Sequence, residues 1–198
     1  MAVLRAKNLT VSSAGGIAVL RDISFAVARG KIIGLVGESG AGKSMLGRVI
    51  AANLPGGFRV TGGSLDFGGA DLTRITGEAR RQLLGREIAF IPQEPLTSLN
   101  PVLTIGQQFS EHLARIGGLP RSAFREHIVQ ALADVRLRNP EDLLQRYPFQ
   151  LSGGMCQRVL IAMAFAAKPA LVIADEPTTA LDVSTQATVV QIMRRLQR

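Results

Sequence analysis

The chain reads as an α/β protein, with a core of strands and helices, a β-rich N-terminal portion and a helical insertion. Three observations carry that reading. An apolar run, Ile32 to Val36, passes through a glycine-rich turn, Gly37 to Ser44, into the helix-patterned Met45 to Ile50. A second apolar run, Leu171 to Ala174, ends in two acids, Asp175 and Glu176. Between them, Thr104 to Tyr147 spaces its apolar residues as helices do.

Residues 3–28 are expected as short strands: Val3 to Val11 alternates in part, Ser12 to Gly16 loops, and Val19 to Val27 resumes a β pattern around Phe25. Arg29-Gly30 turns the chain into a strand at 31–36. A helix over 43–53 is stopped by Pro55-Gly56-Gly57. Val60 to Phe67 reads as a strand between the glycine pairs at 62–63 and 68–69, and Glu87 to Ile91 as a short strand halted by Pro92. The helical tract breaks at Gly117-Gly118-Leu119-Pro120 and at Asn139-Pro140. Ser122 is the expected N-cap of a helix carrying Arg125, Ile128, Val129 and Leu132 at helical spacing. Residues 153–167 form a further helix, 170–174 a buried strand and 184–197 a last helix. No internal repeat or low-complexity tract interrupts this order.

A length of 198 residues suits one domain or one domain with an inserted lobe, and 46% hydrophobic residues suffice for a large core. No apolar stretch approaches the roughly 18 residues a membrane span requires, and the opening MAVLRAKNLTVSSAGG lacks the apolar segment of a signal peptide. Cys156 is the single cysteine, which excludes an intrachain disulfide and agrees with a reducing cytoplasm. A net charge of +8 fits a nucleic acid, an anionic membrane surface, a nucleotide or solubility alone. The basic residues are scattered and tryptophan is absent, so no base-stacking platform is evident and nucleic acid is not expected as a partner. Arg80-Arg81 and Arg194-Arg195 are expected on solvated helix faces.

The octapeptide Gly37-Glu38-Ser39-Gly40-Ala41-Gly42-Lys43-Ser44 satisfies G-x-x-x-x-G-K-[ST] at every fixed position. Its glycines let the backbone turn sharply, so that the N–H groups from Gly37 to Met45 can point at phosphate oxygens. The following helix adds its positive end to the same anion. In this motif Lys43 reaches the β- and γ-phosphates and Ser44 holds Mg²⁺. Asp175 and Glu176 close a strand, where a Mg·nucleotide site needs carboxylates: Asp175 for the metal, Glu176 to orient or deprotonate the attacking water. Further along, Ser152 is placed to cap the helix at 153–167, and Gly153 and Gly154 leave its N–H groups open to a phosphate.

These residues, in this order, resemble the ATP-binding domains of ABC-type ATPases. Leu151-Ser152-Gly153-Gly154-Met155-Cys156-Gln157-Arg158 resembles that family's signature sequence, and LVIADEPTTALD its Walker B segment. Gln93 stands where the family has its Q-loop glutamine, and Thr179-Ala180-Leu181-Asp182 matches the D-loop. The resemblance covers nearly the whole chain. Ile91 to Gln108, Arg146 to Met155 and ADEPTTALDVSTQA further resemble the oligopeptide, dipeptide and nickel import branch.

What the resemblance implies is specific. The fold would be a P-loop NTPase (RecA-like) core with an N-terminal antiparallel β portion and an inserted α-helical subdomain. The chain would form a single domain, 1–198, comprising 1–92, the Q-loop and insertion at 93–150, and 151–198. ATP and Mg²⁺ would be its cofactors, with Ser44, Gln93 and Asp175 on the metal and Lys43, Gln93 and Glu176 in hydrolysis. Two domains would close head to tail, so that Ser152, Gly153 and Gly154 touch nucleotide held by the partner. Residues 94–108 would dock on transmembrane permease subunits at the cytoplasmic face of the inner membrane, with an extracytoplasmic solute-binding protein acting indirectly. A soluble non-transport ABC ATPase, and a nucleotide-binding module with little turnover, are the alternatives.

Two departures from the family accompany these expectations. Residues 1–24 hold no aromatic to stack on adenine, leaving Val11 or a neighbour as the apolar contact. The chain ends at Arg198 before the family's switch histidine, so the domain is expected to be C-terminally incomplete, with impaired hydrolysis and reduced stability. His112 and His127 are expected as surface or interface residues. Cys156 reads as a small hydrophobe on a helix or as a redox switch.

Overall fold

The computed structural model describes residues 2–75, 77–178 and 183–197. They fall into two compact units, dividing between Leu84 and Gly85.

The first unit is built on an antiparallel sheet. Strands β1 (Ala2–Ser13), β2 (Ala18–Ala28), β3 (Phe58–Phe67) and β4 (Ala70–Asp71) lie in the order β2-β1-β3-β4. The partial alternation of β1 has a structural cause. Leu4 and Ala6 are buried, and so are Leu9 and Val11, but the two pairs are out of phase by one residue. A register shift between Ala6 and Leu9, with Asn8 at φ 49°, takes up the extra residue and returns the apolar side chains to one face. Gly63 makes room for this bulge: at φ +77°, a β-carbon there would lie 2.3 Å from the Lys7 carbonyl oxygen.

Helix α1 (Lys43–Ile50) follows the glycine turn and touches β2. It closes earlier than the expected Asn53, because Ala52 turns left-handed at φ 53° and Asn53 N–H returns to the Arg48 carbonyl. The strand expected at 31–36 is absent. Those residues are irregular and Val36 is fully exposed, since every strand of this unit pairs within the four-stranded sheet and the run joins neither edge. Hydropathy records a preference for burial, whereas a strand also needs a ladder partner. Helix α2 (Gly77–Leu83) carries Arg81 on its solvated face, 3.7 Å from Glu78.

The second unit holds strands β5 (Ile88–Ile91) and β6 (Leu171–Ala174), paired in parallel. Between them run α3 (Pro95–Ser98), α4 (Ile105–Ile116), α5 (Phe124–Asp134), α6 (Pro140–Leu143) and α7 (Gly153–Ala166), and after them α8 (Val183–Leu196). Phe109, Leu113, Ile128, Leu132, Val159 and Ile161 form the centre of one apolar core. Thr104 and Gln107 cap α4 reciprocally, through side chain to backbone in both directions. Gly117 and Gly118, both at positive φ, end it as expected.

Ser122 does not cap α5. Pro120 opens a short 3₁₀ turn over Arg121–Ala123 that runs straight into the helix, so no free N-terminus exists where its hydroxyl sits. Strand β6 is half-buried rather than buried, because among the described residues its sheet has only two strands. Arg194 and Arg195 are exposed. Among the described residues, no helix is long and apolar enough to cross a membrane.

Candidate nucleotide site

In the first unit, Gly40 (φ 81°) and Gly42 (φ 88°) shape the turn from Gly37 into α1. Gly42 is the N-cap of α1, and two constraints reserve the position for glycine. The left-handed backbone disfavours any side chain, and a β-carbon would stand 2.7 Å from Leu20 Cδ2 and 3.1 Å from the Val19 carbonyl oxygen. Strand β2 thus fixes the height of the loop. Lys43, the first residue of α1, folds back over it: Nζ donates to the carbonyl oxygens of Gly37 and Glu38, each at 2.8 Å. Two of the three ammonium donors are used in this way, and the loop around them is exposed. Ala41 N–H closes a tight turn on the Glu38 carbonyl at 3.2 Å. Glycine conformations, a cation over the turn and the positive end of an eight-residue helix together suit a chain of phosphates.

In the second unit, the register of β5 and β6 sets the chemistry. Ile91 pairs with Ala174, and Asp175 N–H donates to the Ile91 carbonyl at 2.9 Å. Gln93 and Glu176 each lie two residues past that last pair. Gln93 Nε2 donates to Glu176 Oε2 at 2.9 Å. Glu176 itself sits at φ 44°, an uncommon conformation for a non-glycine residue that ends the strand abruptly. Asp175 is half-buried at the strand end. Among the described residues no group of three or more His, Cys, Asp or Glu gathers as a metal cage. Mg²⁺ does not require one: it keeps several waters and takes one or two protein oxygens alongside phosphates.

Ser152 caps α7 as expected, its hydroxyl accepting from Met155 N–H at 3.3 Å. Gly153 and Gly154 form the first turn, and a β-carbon on Gly153 would meet nothing within 4 Å. Cys156 is fully buried, its Sγ 3.6 Å from the Pro148 carbonyl oxygen, and burial pushes its thiol up. This favours packing over the redox switch.

Several side chains escaped the sequence reading. His112 and His127, expected as surface or interface residues, are half-buried and bond the carbonyl oxygens of Met163 and Ala166 at 3.0 and 3.1 Å. Gln108, nearly buried, pins the segment after α3. Its Nε2 donates to the Asn100 and Leu103 carbonyls at 3.0 and 2.9 Å, and its Oε1 accepts from Asn100 N–H at 2.8 Å. The pinned segment presents Val102 to solvent, and α3 before it presents Leu96. Val11 is unsuited to a base contact, being wholly inside the β1 face, whereas the nearby Ile17 is exposed. Thr179 to Asp182, expected as the D-loop, lie outside the described residues.

A glycine turn bearing a lysine at a helix start, with a parallel strand ending in acids, defines a P-loop nucleotide-binding protein. Residues 20–179 match the ABC transporter family, and the chain belongs to it. It is 44% identical over its whole length to the dipeptide transport ATP-binding protein DppD of Escherichia coli (strain K12), covering 62% of that protein. It is 39% identical to the oligopeptide transport ATP-binding protein OppD of Bacillus subtilis (strain 168), with 99% of this chain and 56% of that protein aligned. The chain thus spans about three fifths of the length of these curated relatives. A solved structure, a dimeric post-hydrolysis state of the ATP-binding cassette MJ0796 bound to ADP and Pi, superposes with a TM-score of 0.85 at 26% identity, over 98% of this chain and 83% of that one.

Proposed function

We propose that the chain is the ATP-binding and hydrolysing subunit of an importer for peptides or nickel-like solutes. The observation that carries the hydrolytic part is the Gln93–Glu176 bond. It holds a carboxylate able to take a proton from water beside an amide suited to metal or water, at the ends of two paired strands. The transport part is supported by relatives named as dipeptide and oligopeptide transport ATP-binding proteins; nickel rests on the sequence resemblance alone.

ATP would bind by its phosphates to the N–H groups from Gly37 to Met45, with Lys43 exchanging loop carbonyls for β- and γ-phosphate oxygens. Ser44, Gln93 and Asp175 would hold Mg²⁺, which when bound offsets the charge of the phosphates. Glu176 orients the attacking water and accepts its proton as the γ-phosphoryl leaves. Ser152, Gly153 and Gly154 would serve the nucleotide of a second ABC domain, so that ATP joins two such domains and hydrolysis parts them. That closure is a ligand-driven population shift, because the inter-domain contacts exist only in the closed pair. Segment 94–108, pinned by Gln108, would carry the motion to permease subunits at the cytoplasmic face, with a solute-binding protein delivering cargo on the far side.

Calorimetric titration with Mg·ATP tests the first step. Lys43→Ala should lower affinity at least about tenfold, the worth of one charge-assisted contact, while the melting temperature holds. Unchanged affinity would remove the basis of the proposal. Recovery of the native protein with membrane permeases, rather than with ribosomes or DNA, tests the transport assignment.

A further inference from the structure

Helices α5 and α7 are joined at both ends by side chains that reach the other helix's carbonyl terminus. His127, in the first turns of α5, bonds the carbonyl oxygen of Ala166, the last residue of α7. Arg158, in the first half of α7, donates from NH1 to the Arg136 carbonyl just beyond the end of α5, at 3.0 Å, and from Nε to the Gly154 carbonyl at 3.1 Å. The two helices therefore run antiparallel, each tied to the other's C-terminal end. Helix α4 adds a third tie through His112 to Met163. The last four carbonyls of an α-helix lack intrahelical partners, and the Met163 and Ala166 acceptors fall on that turn of α7, whereas Arg136 lies two residues past α5.

Both rings must donate, because a backbone carbonyl only accepts. Each imidazole thus carries its proton on Nε2. Apolar packing around Val159 and Ile161 buries the helix but is non-directional and tolerates sliding. Hydrogen bonds at a helix end do not. A slip of one residue along the axis displaces the far end by about 1.5 Å, half the length of a hydrogen bond.

We propose that His112, His127 and Arg158 are positioning residues that fix the axial setting of α7, and through it Ser152, Gly153 and Gly154, for the nucleotide of the second domain. The inference rests on the pairing role proposed above. It assigns a nucleotide-linked function to two histidines remote in sequence from every phosphate motif.

The test uses the full chain with Glu176→Gln, which slows hydrolysis so that ATP-driven pairing can be followed by light scattering. His112→Leu and His127→Leu remove the donors, and His112→Gln and His127→Gln retain one. Each Leu variant should raise the ATP concentration for half-maximal pairing about tenfold, the cost of one hydrogen bond. Affinity for ATP at the Lys43 loop, measured at concentrations too low for pairing, should stay unchanged, and each Gln variant should recover most of the loss. Pairing at the parental ATP concentration in the Leu variants, or an equal fall in single-chain affinity, overturns the proposal.

Should a Leu variant not fold, the ring ¹⁵N spectra of the labelled parent decide instead. A protonated Nε2 in slow exchange is expected at both histidines, and an Nδ1–H tautomer at either one overturns the proposal. A parent that binds ATP without pairing would sink the pairing role and this inference together. That result is separable because both histidines are then intact.

Discussion

Gln93 and Glu176 meet through a 2.9 Å hydrogen bond although 83 positions separate them in the chain. The bond restrains the orientation of the carboxylate that the proposed mechanism uses as its base. Glu176→Gln keeps the shape and removes the proton acceptor. ATP turnover should fall by about two orders of magnitude or more, with nucleotide affinity unchanged. Gln93→Ala should leave affinity near normal and lower kcat less, because it removes only the restraint. Steady-state kinetics beside equilibrium binding separate the two.

Gly42 is held by both its backbone and its surroundings. Gly42→Ala should destabilise the chain by roughly 1–3 kcal/mol, the range for a strained non-glycine residue, and abolish ATP binding. Adding Leu20→Ala relieves the 2.7 Å approach but not the 3.1 Å contact with the Val19 carbonyl or the positive φ. Leu20 is itself buried, so its truncation costs stability of its own; the double variant should lose somewhat less than the sum of the two single variants, as read from denaturant midpoints.

Cys156 should be silent to thiol reagents in the folded chain and react at once in denaturant. Burial raises its pKa above the ordinary 9.0. The folded state therefore keeps its proton where the unfolded chain would lose it. The resulting contribution to stability is intact below the ordinary value and disappears as pH rises through the raised native one. Cys156→Ala should flatten that alkaline decline.

His112 supplies the opposite slope. Burial, opposed by its bond to Met163 and aided by Arg115, lowers its pKa below 6.5. Its contribution is present above 6.5 and is lost as pH falls through the lowered native value, because the unfolded ring takes up a proton first. Denaturant melts between about pH 7 and about pH 5 should show the loss, and His112→Gln should lessen it.

Local chemistry was readable before any coordinates. The fixed positions of the Gly37–Ser44 turn imposed their own conformation, Ser152 capped the helix its neighbours predicted, and both strands of the β5–β6 pair fell where apolar runs met turn residues. What stayed hidden depended on partners distant in the chain. The 31–36 run had the hydropathy of a strand but no ladder in its unit. Ser122 had the chemistry of a cap, yet Pro120 started a turn ahead of it. His112, His127, Arg158 and Gln108 look like ordinary polar helix positions until the fold supplies the carbonyls they bond. The Gln93–Glu176 contact needed the register of two strands that no local pattern specifies.

The contacts that shape the lysine-bearing turn are short-range, reaching from Gly37 to Leu46 and back to the neighbouring Leu20. The Gln93–Glu176 pair exists only once a chain closure spanning the whole helical insertion is complete, and such closures are slow and costly in entropy. In the proposed mechanism, capture of the fuel and its combustion are thereby separated in the order of assembly. On the proposed mechanism, a half-built or partly melted copy would keep the turn that grips ATP while lacking the pair that spends it.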